Sequence, residues 1–259
     1  MRIALGVAYV GSAFAGWQLQ AGVSTIQGAV EKALTQVGTH PVRVICAGRT
    51  DRGVHAAEQV IHFDTSCNRT EKIWVAACNY YLPADIRILW AKIVPKEFHA
   101  RFSAISRTYQ YLIYEGMMPW MNNRALIYNR YSLDPKAMQQ ASNLLIGEHD
   151  FSAFRSTNCQ ARSPVRHLNQ LTVLRKKPWI RIEVTANAFL HHMVRNIVGV
   201  LLDIGRGKYA VAWMADLLHS RNRNHGAMTA AAQGLYLQEV KYPTHFELPK
   251  SQEKFILEI

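Results

Sequence analysis

Three charged side chains, Arg49, Asp51 and Arg52, fall within four positions in the stretch Ala47–Ala56, which reads AGRTDRGVHA. A guanidinium a few ångströms from a carboxylate favours the ionised form, and an ionised carboxylate can act as nucleophile or base. Gly48 and Gly53 bracket the segment, and glycine serves where the backbone turns sharply or takes a left-handed path. Pro41–Cys46 and Ala57–Phe63 alternate apolar and polar residues as strands do. The stretch is therefore expected to be a loop joining two strands, holding one carboxylate between cations. Asp-Arg-Gly is also ordinary turn chemistry, so the rest of the chain has to decide between the two.

Two further stretches carry reactive types. Phe98–Tyr111, FHARFSAISRTYQY, is rich in cations and rings, with Arg101, Arg107 and Tyr109. A tyrosine ring can stack on an extruded base while its hydroxyl reaches a proton. Alternating tyrosines are equally what strand propensity produces. Phe189–Gly199, FLHHMVRNIVG, opens a helix expected over 190–204, with Leu190, Met193, Val194, Ile197, Val198 and Leu201 as its apolar stripe. His192, Arg195 and Gly199 lie off that stripe. Glycine within a helix costs about 1 kcal/mol against alanine, so Gly199 points to a closely approaching backbone. Arg195 beside it is either a solvated cation or a partner for a carboxylate. Adjacent helical histidines diverge by about 100°, so His191 and His192 are assigned no metal.

Elements to position these groups follow from periodicity. Strands are expected at Arg2–Tyr9, 42–47, 57–63 and 86–94. A helix opened by a Ser24/Gln27 capping box ends at Gly38. A second follows Thr70, with Ile73, Ala76, Ala77 and Tyr80 inward. The pattern β-α-β-β-α-β is that of a ferredoxin-like unit. It recurs as a strand at Ser106–Tyr114 and a helix after Asp134-Pro135, with Ala137, Met138, Ala141, Leu144 and Leu145 inward and Gly147 closing it. Strands at 166–174 and 179–187 then flank a basic turn, Arg175–Pro178. Helices at 190–204 and 211–219 and a strand at 234–242 complete it. The fold class is α+β, with halves 1–100 and 101–259 and a cleft between them as the ligand site.

The chain has 259 residues, 49% hydrophobic and 19% charged, as ordinary globular domains have. Its 30 Lys and Arg against 18 Asp and Glu give a net charge of +12, which implies a polyanionic partner, nucleic acid ahead of membrane. Phosphate contacts are expected from Arg49, Arg52, Arg101 and Arg107, with 175–177 further out. No apolar run reaches the ~18 residues of a span, and the start lacks a signal peptide's pattern. Cys46, Cys67, Cys78 and Cys159 show no metal spacing and are expected to be free thiols of a cytoplasmic protein.

AGRTDRGVHA resembles the catalytic-aspartate loop of the TruA family of tRNA pseudouridine synthases. The resemblance extends over RTYQY, FLHHMVRNIVG, GEHDFSAF (147–154) and, with changes, two more segments. TAAAQGLYL (229–237) has Ala231 and Gln233 where the family form TAPAHGLYL has proline and histidine, and YVGSAFAGWQLQ (9–20) differs from YHGTxFxGWQxQ at Val10 and Ser12. The resemblance implies the pseudouridine synthase fold, a mixed, mainly antiparallel sheet with helices packed on it. It implies Asp51 as the essential aspartate, Tyr109 as the active-site tyrosine that also meets the substrate, and Arg195 as the cation paired with the aspartate. It further implies isomerisation of uridine at positions 38, 39 and 40 of the tRNA anticodon stem-loop, by a homodimer without cofactor. Two other classes fit less well. An RRM-type RNA binder would carry a Lys/Arg-Gly-Phe/Tyr motif, which neither half has. A glycoside hydrolase needs two carboxylates across the scissile bond, and no second acid stands in the three motifs.

Overall fold

A computed structural model describes residues 1–249. The described chain forms two compact units, Met1–Arg107 with residues from 236 onward, and Thr108–Leu235. Both mix strands and helices, so the α+β expectation holds.

In the first unit the order is β1 (Arg2–Tyr9), α1 (Ile26–Gly38), β2 (Ile45–Cys46), β3 (His55–Asp64), α2 (Glu71–Tyr81) and β4 (Ile86–Val94). The strands lie in the order β4-β1-β3, with β2 on the far edge of β3, and these pairs are all antiparallel. That is the strand order of a βαββαβ unit. Helix α1 is capped by Thr25, whose side chain accepts from the Gly28 amide, and not by Ser24; it closes on a left-handed Thr39 at φ 59°, one residue past Gly38. Gln27 serves the loop before the helix, accepting from the Leu19 amide and donating to Glu31. Thr70 caps α2 as expected. The helix, however, is turned from its expected stripe. Trp74 and Cys78 face inward, while Ile73 and Tyr80 are exposed. The reason is volume: the Trp74 indole meets Phe63 edge-on at 5.2 Å, filling space that no residue of the smaller stripe would fill.

Strand 42–47 shrinks to Ile45–Cys46. The approach to it is instead fixed by Glu31, which accepts from the Val44 amide and from Arg43.

The second unit runs β5 (Ser106–Tyr114, its first two residues in the first unit), β6 (Leu126–Ile127), α3 (Pro135–Asn143), β7 (Gly147–Asp150), β8 (Val165–Lys176), β9 (Trp179–Ala186), α4 (Met193–Gly205) and α5 (Trp213–Ser220). Its strands lie in the order β5-β9-β8-β7, with β6 on β5. Asp134 caps α3, accepting from the Lys136 and Ala137 amides. Met138, Ala141 and Leu145 are buried there, but Leu144 is exposed, because α3 ends at Asn143 and the chain turns at that point. The helix-closing role read for Gly147 is not seen; the residue starts β7 in a left-handed conformation, φ 102°.

The basic turn is shorter than expected. Residues Arg175 and Lys176 belong to β8 and pair with Ile180 and Trp179. The Arg175 guanidinium is engaged by Glu115 and by the Leu133 carbonyl. It is therefore a structural ion pair, not an outlying phosphate contact.

Helix α4 begins three residues later than its apolar pattern suggests. Residue His192 is left-handed, φ 63°, and closes the turn before the first helical residue, Met193. The helical divergence argued for the two histidines does not apply, and the His191 and His192 ring centroids lie 4.0 Å apart. Strand β10 (Leu235–Lys241) ends the second half in sequence, yet it pairs parallel with β3, Tyr236 opposite His55 and Leu237 opposite Ala56. It covers the end of the β3 edge that the two-residue β2 leaves open.

His62 on β3 is buried, and its Nδ1 accepts the Ala100 amide at 3.1 Å. Burial, then the nearby Arg2 and His99, push its pKa down to about 4. Between the ordinary value near 6.5 and 4, the unfolded chain takes up a proton that the folded ring refuses. Stability therefore falls as pH drops through that window. Thermal melts at pH 7 and pH 5 should show a larger loss for the parent than for His62→Asn, which keeps an acceptor but cannot titrate. Equal losses would remove His62 as the source.

Candidate active site

The Asp51 loop is held chiefly through its backbone. The Ala47 amide donates to Val60 O at 2.8 Å, the Trp17 amide to Thr50 O at 3.0 Å, and the Val54 amide to Asp51 O at 3.1 Å. Gly48 is gripped at both peptide groups by the fully buried Gln59 side chain. Buried Thr50 meets the Tyr9 hydroxyl at 2.7 Å. Gly53 is left-handed, φ 80°, which a glycine adopts without the Cβ penalty. With Thr50 and Val54 turned inward, Asp51 is left half-buried, and Arg49 and Arg52 are exposed.

Arg107 is placed differently from its neighbours. It is buried, and its guanidinium donates to the carbonyls of Ala47 at 3.1 Å, Arg101 at 2.6 Å and Ala104 at 3.2 Å. One side chain thus ties the start of the Asp51 loop to the stretch after β4. Arg101 itself is exposed, with its guanidinium 5.3 Å from the Phe102 ring centroid.

In the second unit, Tyr109 is buried on β5 and meets Phe189 edge-on, centroids 5.1 Å apart. Arg195 on α4 is half-buried. Its Nε donates to Ala230 O at 2.8 Å, and its own carbonyl accepts the Ala230 amide at 3.1 Å. The close approach expected at Gly199 is present: a Cβ there would lie 2.1 Å from the carbonyl oxygen of Met228. The Tyr111 hydroxyl holds the next carbonyl along, Ala231 O, at 2.8 Å; burial pushes this phenol's pKa well up. Residues 228–231 are thus fastened to α4 and β5 at successive peptide groups, and the fastening orients Arg195. Below them Asn196, buried, takes hydrogen bonds from Thr229 and Arg223 and donates to Phe154 O.

A family model described as tRNA pseudouridine synthase matches residues 6–103 and 141–243. The chain belongs to the tRNA pseudouridine synthase family. Relatives named tRNA pseudouridine synthase A include one from Nitrosococcus oceani, 52% identical with 96% of this chain and 97% of that one covered. One from Coxiella burnetii is 50% identical, with 96% of each chain covered. One from Legionella pneumophila is 49% identical, covering 96% of this chain and 95% of its own. As a member of that family the chain is an isomerase. Asp51 and Arg195 lie inside the matched stretches, and Tyr109 lies between them.

The synthase's braces were harder to find in the sequence than its charged groups. Gln59 did leave a signal, an amide on the strand face shared with Ile61 and Phe63. Arg107 left none, since an arginine two residues before a tyrosine looks the same whether it faces solvent or three carbonyls.

Because Arg107 is spent on carbonyls, its shape should matter more than its charge. Arg107→Lys keeps the charge but loses the fork. Turnover should fall roughly ten- to a hundredfold, the scale of a misplaced catalytic group, with KM nearly unchanged. Parental turnover in the lysine variant would remove the brace.

Proposed function

We propose that this synthase converts uridine to pseudouridine at positions 38, 39 and 40 of the tRNA anticodon stem-loop, with Asp51 as its nucleophile or base. The observation that carries the reading is the half-buried Asp51 on a loop whose neighbouring peptide groups are hydrogen-bonded. The reaction breaks the N1–C1′ bond, turns the uracil, and forms a C5–C1′ bond. The proton lost at C5 is balanced by one gained at N1, so no oxidant or external energy is consumed. A carboxylate can attack C1′ or the base, or remove a ribose proton, and each route needs it held still and charged.

Tyr109 is assigned to the flipped base, its ring for stacking and its hydroxyl for the C5 proton. Arg195 supplies the cation that the carboxylate requires. Arg49, Arg52 and Arg101 are assigned to phosphates, an assignment supported by their exposure and by the net charge of +12. Arg107 is reassigned from phosphate contact to brace. The synthase is further proposed to act as a cytoplasmic homodimer. Among the described residues no helix is long and apolar enough to cross a membrane.

Asp51→Ala and Asp51→Asn should abolish pseudouridine formation on unmodified tRNA while tRNA affinity changes little. Substantial product from Asp51→Ala, mapped on the RNA, would remove the central claim. Tyr109→Phe should keep most binding and lose the reaction; a rate like the parent's would leave the hydroxyl without a role.

A further inference from the structure

Phe102 is 75% exposed, a large apolar ring left in water beside Arg101 and given no part in the proposed chemistry. The loop is nonetheless well ordered by its own bonds. His99 Nδ1 accepts both the Arg101 and the Phe102 amides at 3.2 Å. The Ser103 amide donates to His99 O at 2.9 Å, and Ser103 Oγ accepts the His99 amide at 3.0 Å. The His99 ring stacks on Phe102, centroids 4.4 Å apart and planes 29° apart, and lies 4.8 Å from the His62 ring. Burial, followed by Arg2, pushes the His99 pKa down, which favours the neutral ring with Nδ1 as an acceptor.

The ring is therefore backed on one face and presented to solvent by a preformed turn. The guanidinium of Arg101 lies over the ring, 5.3 Å from its centroid. The Arg107 Nη2 that holds Ala47 O also holds Arg101 O, so the ring and the Asp51 loop share one anchor.

We propose that Phe102, backed by His99, is a stacking platform for an unpaired base of the bound RNA, with Arg101 taking that nucleotide's phosphate. An exposed aromatic ring beside a cation is the arrangement that binds single-stranded nucleic acid without reading sequence, because every base has a π-face. Preforming the turn lowers the ordering cost of binding. Such a platform would hold an RNA whose target lies nearby while tolerating different bases around it. The inference rests on the reading of the substrate as tRNA.

The test is the affinity of unmodified tRNA for the full chain, measured by fluorescence anisotropy across a salt series. Phe102→Ala should weaken binding about five- to a hundredfold, the span of one base–aromatic stack, without changing the salt slope. Phe102→Trp should restore affinity and Phe102→Leu should not. Arg101→Ala should instead reduce the slope by about 0.7 to 0.9, one phosphate's worth. Parental affinity in a folded Phe102→Ala variant would overturn the platform, as would full rescue by leucine or a changed oligomeric state in its place. Failure of the parent chain to bind tRNA at all would strike the functional reading itself, a different result from either.

Discussion

A tight loop that projects a carboxylate must still satisfy its own peptide groups, because buried amides and carbonyls without partners are costly. In this synthase that constraint is met at Ala47, Gly48, Thr50, Asp51 and Val54, from four sources. The partners come from β3, from the loop after β1, from the turn itself and from Arg107. Asp51 inherits its position from these bonds. Arg49 and Arg52, by contrast, stand exposed on the same loop.

The same economy recurs in the second unit by other means. Arg195 is oriented by exchanging bonds with Ala230, and the segment that Ala230 belongs to is brought near by the missing side chain of Gly199. A glycine here contributes closeness more than freedom. The carbonyl of Met228 occupies the space where a methyl group would stand, and the neighbouring Tyr111 hydroxyl fixes the next turn of chain.

Charged and aromatic groups with chemical potential were legible because their type and spacing are local. So were β4 and β5, where Ile86, Ile88 and Trp90, and Tyr109, Tyr111 and Ile113, recur at every second position. Tertiary fit was not legible. Helix α2 looks equally amphipathic with Ile73 or with Trp74 inward, and only the Phe63 ring across from it decides. The histidines before α4 continue a helical apolar pattern, but the chain spends His192 in a left-handed turn first. Strand β10 has the pattern of a strand wherever it pairs, so its partner could not be read from its own residues. The roles of Arg107 and Arg175 were hidden for a like reason: charge is visible in a sequence, while the carbonyls and carboxylate that absorb it are brought together only by the fold.

That pairing of β10 has a bearing on how the chain is made. A ribosome delivers β1 to β4 first, and domains generally begin to fold as they emerge. The first unit nevertheless waits for residues 236–241, more than a hundred positions later in the sequence, before His55 and Ala56 gain their parallel partner strand. Those two residues directly follow the Asp51 turn. Until translation is nearly finished, the β3 edge just after the Asp51 turn lacks its parallel strand, and the first unit of the nascent chain is incomplete there.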